Sequence, residues 1–139
     1  MPQALVAGFL IAHGFITTMI GFGGVTKPDA PPIALPAWFG WWPGPFGRSW
    51  LIDALHLGSG ASMAGNVLWL AAGLALLGAG LGWLGVPALS GVWQQLALGA
   101  AAVALVALAL YFHPFYLVAV LINVAIVVLL TGALAPAAR

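Results

Sequence analysis

The sequence predicts an all-α integral membrane protein, an antiparallel four-helix bundle with a Pro/Trp-rich interfacial loop between its first and second helices. Three observations carry this prediction. Of 139 residues, 64% are hydrophobic and only 4% are charged, whereas about 25% of the residues in soluble domains are charged. Four stretches contain the roughly 20 apolar residues that cross a bilayer as a helix. Prolines and tryptophans gather between the first two of these stretches.

The four spans are expected within a single domain covering residues 1–139. The first covers residues 3–24 and lacks the basic start of a signal peptide, so we expect it to be retained. The second covers 50–82, and the glycines that precede Pro87 predict its end. The third covers 88–112 and the fourth 114–134, with Pro87 and Pro114 suited to first helical turns. Short turns join the last three spans, which predicts antiparallel neighbours.

Residues 25–49 form the predicted interfacial loop. They hold six of the ten prolines, which exclude a regular spanning helix. Tryptophan prefers the depth of the lipid headgroups, so we expect residues 37–50 to lie flat in one interface over the mouth of the bundle. This segment would be either a lid or partner-docking surface, or simply a membrane anchor. Its predicted lid residues are Trp38, Trp41, Trp42, Arg48 and Trp50.

Charge and cysteine content exclude several classes of function. The net charge of +1 leaves no basic surface for nucleic acid. Cysteine is absent, which excludes disulfides, cysteine-ligated zinc, iron–sulfur clusters and covalent c-type haem. Lys27 and Arg48 lie on the loop side and Arg139 follows the last span, so the positive-inside rule leaves the orientation of the chain open.

Polar side chains within the spans predict a functional site, because such groups are costly in a bilayer. Most of them fall in the half of the spans nearest the loop. Helical spacing places residues 13 and 17 on one face, residues 53 and 56 on another, and residues 116 and 123 on a third. The predicted ligand-binding residues are His13, Thr17, His56, Ser59, Asn66, Tyr116 and Asn123.

Three interpretations of this polar group stay open. Small and polar residues could simply join the helices. They could form a polar mouth for the head of a lipid- or quinone-like amphiphile. They could also hold a metal or haem, since histidine and carboxylate ligate transition metals and two histidines ligate haem; the candidates are His13, Asp53, His56 and His113. A weak proton or ion pathway through the histidines is chemically possible. No catalytic residue is predicted.

The segments GRSWL (47–51) and FHPFYLVAVLINVAIVVLL (112–130), with the Gly-rich run through Trp83, resemble small bacterial four-helix membrane proteins of the DoxX-like kind. The resemblance implies a four-helix bundle in the bacterial inner membrane. Functions in that group extend from subunits associated with quinone-linked sulfur oxidation to proteins with no assigned role. We therefore expect a non-catalytic accessory subunit or amphiphile binder. Its expected partners are membrane lipid, quinone, and further copies of the chain or a larger membrane complex.

Overall fold

The structure, a computed structural model, describes residues 2–28, 31, 34–42 and 46–134. Within these ranges the chain forms helices and turns without a β-strand, so the all-α prediction is confirmed. Four helices are long and apolar enough to cross a membrane. Two of the five charged residues noted in the sequence, Asp29 and Arg139, lie outside the described residues.

The described part of the chain contains six α-helices: α1 (Pro2–Thr26), α2 (Trp50–Ala54), α3 (Gly58–Trp83), α4 (Pro87–Ser90), α5 (Trp93–Leu110) and α6 (Leu117–Leu134). The long helices are α1, α3, α5 and α6. Single 3-10 turns form at Ala37–Phe39 in the long loop and at Pro114–Tyr116 before α6. The third span was predicted to begin at residue 88, but α5 begins at Trp93, after α4 and a turn.

The stretch predicted as one span over 50–82 is divided at residues 55–57. His56 adopts φ +51°, and two hydrogen bonds close α2 behind it: Leu57 N–H donates to the Ile52 carbonyl at 3.1 Å and His56 N–H to the Asp53 carbonyl at 3.2 Å. This is the Schellman end of a helix, in which glycine usually takes the left-handed position. Asp53 and His56 therefore do not share one helix face, and that prediction is wrong.

The C-terminal end of α3 shows the same motif with the usual residue. Gly85 adopts φ +90°, and Val86 N–H donates to the Leu81 carbonyl at 3.1 Å. Glycine adopts this conformation without the steric cost that a Cβ would add. The helix therefore ends inside the Gly-rich stretch, and Pro87 begins α4 directly after it.

Glycines bring the backbones of α1 and α3 together. A Cβ added to Gly14 would lie 2.7 Å from the Leu77 nitrogen, and one added to Gly21 would collide with the backbone of Leu70. From the side of α3, Gly73 lies against the backbone of Thr18. Small residues at helix interfaces permit this close approach and the dispersion contacts that come with it.

The remaining long helices pack in chain order, α3 on α5 and α5 on α6, whereas α1 and α6 make no comparable contact. Alanines form most of the buried surface of α5. Two apolar clusters result, one around Trp69, Leu108 and Tyr111 and the other around Leu10 and Leu76. Helix α6 is the least buried of the four long helices, and its side next to α1 is left partly open.

Candidate ligand-binding groove

One hydrogen bond joins α1 to α6. Asn123 Nδ2 lies 3.2 Å from His13 Nε2 and 2.8 Å from the Ala119 carbonyl oxygen. Asn123 is buried and His13 half-buried. The sequence predicted that these two residues would share a polar site, and the structure brings them together.

The Ala119 carbonyl fixes the chemistry of this pair. A carbonyl oxygen only accepts, so the amide nitrogen of Asn123, and not its oxygen, faces Ala119. The second amide N–H then donates to His13 Nε2. His13 Nε2 is therefore the accepting nitrogen, and the ring carries its proton on Nδ1. In this pair Asn123 Nδ2 is the donor and His13 Nε2 is the acceptor.

Thr17 supports this part of α1 from the adjacent turn. Its hydroxyl donates to the His13 carbonyl at 2.8 Å, and the side chain is 3% exposed. Thr18 makes the equivalent bond to the Gly14 carbonyl at 2.8 Å. Both hydroxyls are satisfied within their own helix, so Thr17 braces the backbone that carries His13 and offers no free donor.

A groove of about 740 Å³ opens between α1 and α6 on one side of the His13–Asn123 pair. The ring of Phe9 in its wall stacks on His13, with centroids 6.2 Å apart. Its walls are apolar side chains, which are Leu5, Val6, Phe9, Leu10, Trp83, Trp93, Ala97, Ile122, Ala125, Ile126, Leu129 and Leu130. We call this space the α1–α6 groove. Its volume falls within the range of about 300–1,000 Å³ typical of small-molecule sites.

Two tryptophans line the far part of the α1–α6 groove. The indoles of Trp83 and Trp93 meet edge to face with centroids 4.4 Å apart. Trp83 Nε1 donates to the Gln3 carbonyl at 3.0 Å, and Gln3 Nε2 returns a bond to the Trp83 carbonyl at 3.1 Å. This reciprocal pair ties the start of α1 to the end of α3. Trp83 and Trp93 were not among the predicted site residues, although their positions on either side of the α3–α5 turn are a signal in the sequence.

A second space of about 470 Å³ lies on the loop side, between α1 and the start of α6. It is lined by Ile16, Met19 and Ile20 of α1, by Phe46 and Tyr116, and by Lys27 with the neighbouring glycines. Tyr116 is buried and stacks on Phe46, with ring centroids 5.0 Å apart. Tyr116 therefore closes the loop-side space rather than lining the α1–α6 groove.

His56 and Ser59 belong to a different place. Both are exposed and line a polar pocket of about 500 Å³ with Arg48, Asp53 and Ser62. Neither His13 nor Asn123 lines this pocket, and His56 lines neither space beside α6. The structure thus places His56 and Ser59 apart from His13 and Asn123, and the turn at 55–57 carries His56 out of the helix.

Asn66 belongs to neither group. It is buried at the α1–α3 contact, where a Cβ on Gly24 would collide with its amide. A buried amide that fills the space beside a glycine is a packing element of the helix pair. Its position fits the structural interpretation of the polar stripe on α3.

The tryptophans of the loop lie by the ends of α5 and α6. Trp42 meets Phe112 edge to face at 5.0 Å, and Trp50 Nε1 donates to the Ala109 carbonyl at 3.0 Å. Trp38 and Trp41 are 70% and 69% exposed, and Arg48 is also exposed. The ring and hydrogen-bond contacts of these residues are with other partners than His13 and Asn123, and their role as a lid stays a prediction.

The four metal candidates are spread over three places. His13 pairs with Asn123, Asp53 and His56 line the polar pocket, and His113 is buried among the rings of Phe39 and Phe46. Over the described residues, no three histidine, aspartate or glutamate side chains gather in a way that could hold a metal ion. His113 Nδ1 accepts a hydrogen bond from the Phe115 N–H at 3.1 Å, which gives this residue a structural role.

Comparison of the chain with family models, curated proteins and solved structures found no match. The resemblance to DoxX-like proteins therefore stays a prediction.

Proposed function

We propose that the chain spans a membrane as an antiparallel four-helix bundle and binds a lipid- or quinone-like amphiphile without catalysing a reaction. Four helices of suitable length and hydropathy support insertion. The contacts between α1 and α3 run in opposite chain directions, since Gly24 lies by Asn66, Gly14 by Gly73 and Gln3 by Trp83. This order is the one that antiparallel helices produce. The resemblance to DoxX-like proteins points to the bacterial inner membrane.

The α1–α6 groove is the observation that carries the binding proposal. Its walls are apolar, and its volume of about 740 Å³ lies in the range of small-molecule sites. The His13–Asn123 pair does not line it, so the groove itself favours the apolar part of an amphiphile. Its opening lies along the length of two neighbouring helices, where an acyl or isoprenoid chain of the bilayer would enter sideways.

Native mass spectrometry of the protein released from detergent micelles tests this proposal. Ala125→Phe places a ring in the groove, whereas Ala102→Phe places the same ring on an exposed part of α5 that does not line it. We expect wild type and Ala102→Phe to retain the same amphiphile, identified by its mass, and Ala125→Phe to lose it. Equal retention by all three proteins would contradict binding in the groove.

Membership of a larger assembly is a second candidate function, and the outer face of α6 favours it. Val118, Leu121 and Val128 are 61–68% exposed, and the main packing partner of α6 among the long helices is α5. An exposed apolar face of this kind fits lipid, another copy of the chain or a larger complex. Solubilisation in a mild detergent followed by size-exclusion chromatography with light scattering would separate these cases. A complex or homo-oligomer would support an accessory subunit, and a monomer would count against it.

A further inference from the structure

The polar pocket beside α2 is lined by charged side chains of both signs. Its volume is about 500 Å³, and its polar and charged lining residues are Arg48, Asp53, His56, Ser59 and Ser62. We call this space the α2–α3 pocket. None of its described lining residues also lines the α1–α6 groove or the loop-side space. A ligand of the α2–α3 pocket would therefore meet a different set of groups from a ligand of the groove.

The α2–α3 pocket lies at the loop-side end of α3. Helix α3 has 26 residues, which extend about 39 Å at 1.5 Å per residue, whereas the hydrocarbon core of a bilayer is about 30 Å thick. The ends of α3 therefore reach the headgroup layers when the helix spans the bilayer. Ser59 and Ser62 belong to its first two turns and lie at that depth. Trp50, a residue type that prefers this layer, begins the neighbouring helix α2.

His56 lines the α2–α3 pocket from a backbone position at which glycine is the usual residue. Its φ is +51°, whereas the equivalent position at the end of α3 is Gly85, with φ +90°. A Cβ makes the left-handed conformation less favourable than it is for glycine. Residues in sparsely populated conformations gather at functional sites. The imidazole at this turn is therefore a reason to assign the pocket a ligand.

The lining favours a head that carries both a phosphate and a primary ammonium group. Guanidinium groups bind phosphate through paired N–H donors, and serine hydroxyls and imidazole add further donors. A carboxylate repels a ligand whose head is only negative, but it accepts charge-assisted hydrogen bonds from an ammonium group. The pocket combines Arg48 with Asp53, so a zwitterionic head satisfies both. Leu55 and Leu57, on either side of His56, are 56% and 57% exposed and offer apolar surface to acyl chains.

We propose that the α2–α3 pocket binds the aminoethyl phosphate head of a membrane phospholipid. Arg48, His56 and the two serines contact the phosphate, and Asp53 accepts hydrogen bonds from the ammonium group. The same head exists free in water, but the depth of the pocket favours the lipid. This inference rests on the membrane insertion proposed above and does not depend on the α1–α6 groove.

Native mass spectrometry of the full chain, delipidated in detergent micelles, measures this preference. The ligands are three dioleoyl phospholipids with identical chains: phosphatidylethanolamine, phosphatidylcholine, whose nitrogen has no N–H, and phosphatidylglycerol, which has no nitrogen. Exposed ion pairs are weak, so we expect phosphatidylethanolamine to bind about twofold to fivefold more tightly than the other two. Glycerophosphoethanolamine, the same head without chains, should bind more weakly than the lipid.

Two variants test the charged residues of the pocket. Asp53→Asn keeps the shape of the side chain and should remove the preference for phosphatidylethanolamine over phosphatidylcholine. Arg48→Gln should weaken the binding of all three lipids, because all three carry the phosphate. Lys27→Gln is the matched control, since it also removes a loop-side cation, but Lys27 lines the loop-side space and not this pocket. It should keep the preference.

His56 is tested by two replacements that differ in their backbone cost. Both His56→Gly and His56→Ala remove the imidazole and should weaken the binding of all three lipids. Only glycine relieves the left-handed conformation, so His56→Gly should unfold about 2–4 °C above His56→Ala and no lower than wild type. A His56→Gly protein that binds lipid as wild type does, or that unfolds below wild type, would show that the imidazole serves the fold and not a ligand.

The outcomes separate this inference from the proposed function. Equal binding of the three lipids by wild type, or a preference that survives in Asp53→Asn, would overturn the assignment; the wild-type comparison decides even if a variant does not fold. Glycerophosphoethanolamine that binds as tightly as the lipid would replace the lipid by a soluble ligand and overturn it too. Ala125→Phe, which fills the α1–α6 groove, should keep the preference. Recovery of the chain in the soluble fraction of cells would contradict the inference and membrane insertion together.

Discussion

Replacement of Gly14 by alanine tests whether α1 and α3 pack backbone to backbone. The new Cβ would lie 2.7 Å from the Leu77 nitrogen and 2.9 Å from the Gly73 oxygen, which is 0.7 Å and 0.5 Å inside ordinary contact at 3.4 Å. Both neighbours are backbone atoms, so the helices must separate rather than rotate a side chain. Overpacking of this kind costs about 1–3 kcal/mol.

The control is Gly8→Ala in the same helix, where an added Cβ meets nothing within 4 Å. Alanine is favoured over glycine in a helix by about 0.5–1 kcal/mol, and both variants gain this term. Gly8→Ala should therefore be more stable than wild type, and Gly14→Ala less stable than Gly8→Ala by about 1–3 kcal/mol. Reversible unfolding in mixed micelles, followed by circular dichroism, measures both. Equal stability of the two variants, within about 0.5 kcal/mol, would refute the close contact.

Two further predictions concern the ends of the short elements. Ser49 is 1% exposed, and its hydroxyl accepts from the Ile52 N–H at 3.1 Å and donates to the Leu110 carbonyl. Ser49→Ala should therefore lower the free energy of unfolding by about 1–2 kcal/mol. An unchanged free energy in the same unfolding assay would show that this cap is not needed. Burial lowers the pKa of His113 below 6.5, and only the neutral ring can accept the hydrogen bond from the Phe115 N–H. The stabilisation from this hydrogen bond is therefore present above about pH 6.5 and is lost as the pH falls toward the lowered folded-state pKa. His113→Asn keeps an acceptor without a titrating group, so the difference in unfolding free energy between wild type and this variant should shrink on acidification, and a difference independent of pH would count against the assignment.

The helix content could be predicted because it depends on apolar length alone. The prediction of a span over 3–24 and the observed α1, Pro2–Thr26, differ by two residues at the C-terminal end. Gly85 and Pro87 marked the end of α3, since their backbone preferences act locally. Such signals need no knowledge of what packs against them.

The break at residues 55–57 could not be predicted in the same way. Only a few per cent of non-glycine residues adopt a positive φ, and histidine, although enriched among them, does so too seldom for His56 alone to mark the end of α2. The nearest signal was Gly58, which also has a positive φ of +78°. A helix that continued through His56 would place the polar residues around it in one mouth with His13 and Asn123. The hydrogen bonds from Leu57 to Ile52 and from His56 to Asp53 end the helix before that.

Chain connectivity and the distribution of small residues explain why the gap lies between α1 and α6. Short turns keep α5 beside α3 and α6 beside α5, whereas the long loop after α1 does not constrain which helix α1 packs against. Helix α1 turns Gly14 and Gly21 toward α3, so its closest backbone approach is used there. The facing side of α6 carries Ile122 and Ile126, whose branched side chains keep the backbones apart. Asn123 reaches across this distance to His13, and the groove is the space that remains beside that bond.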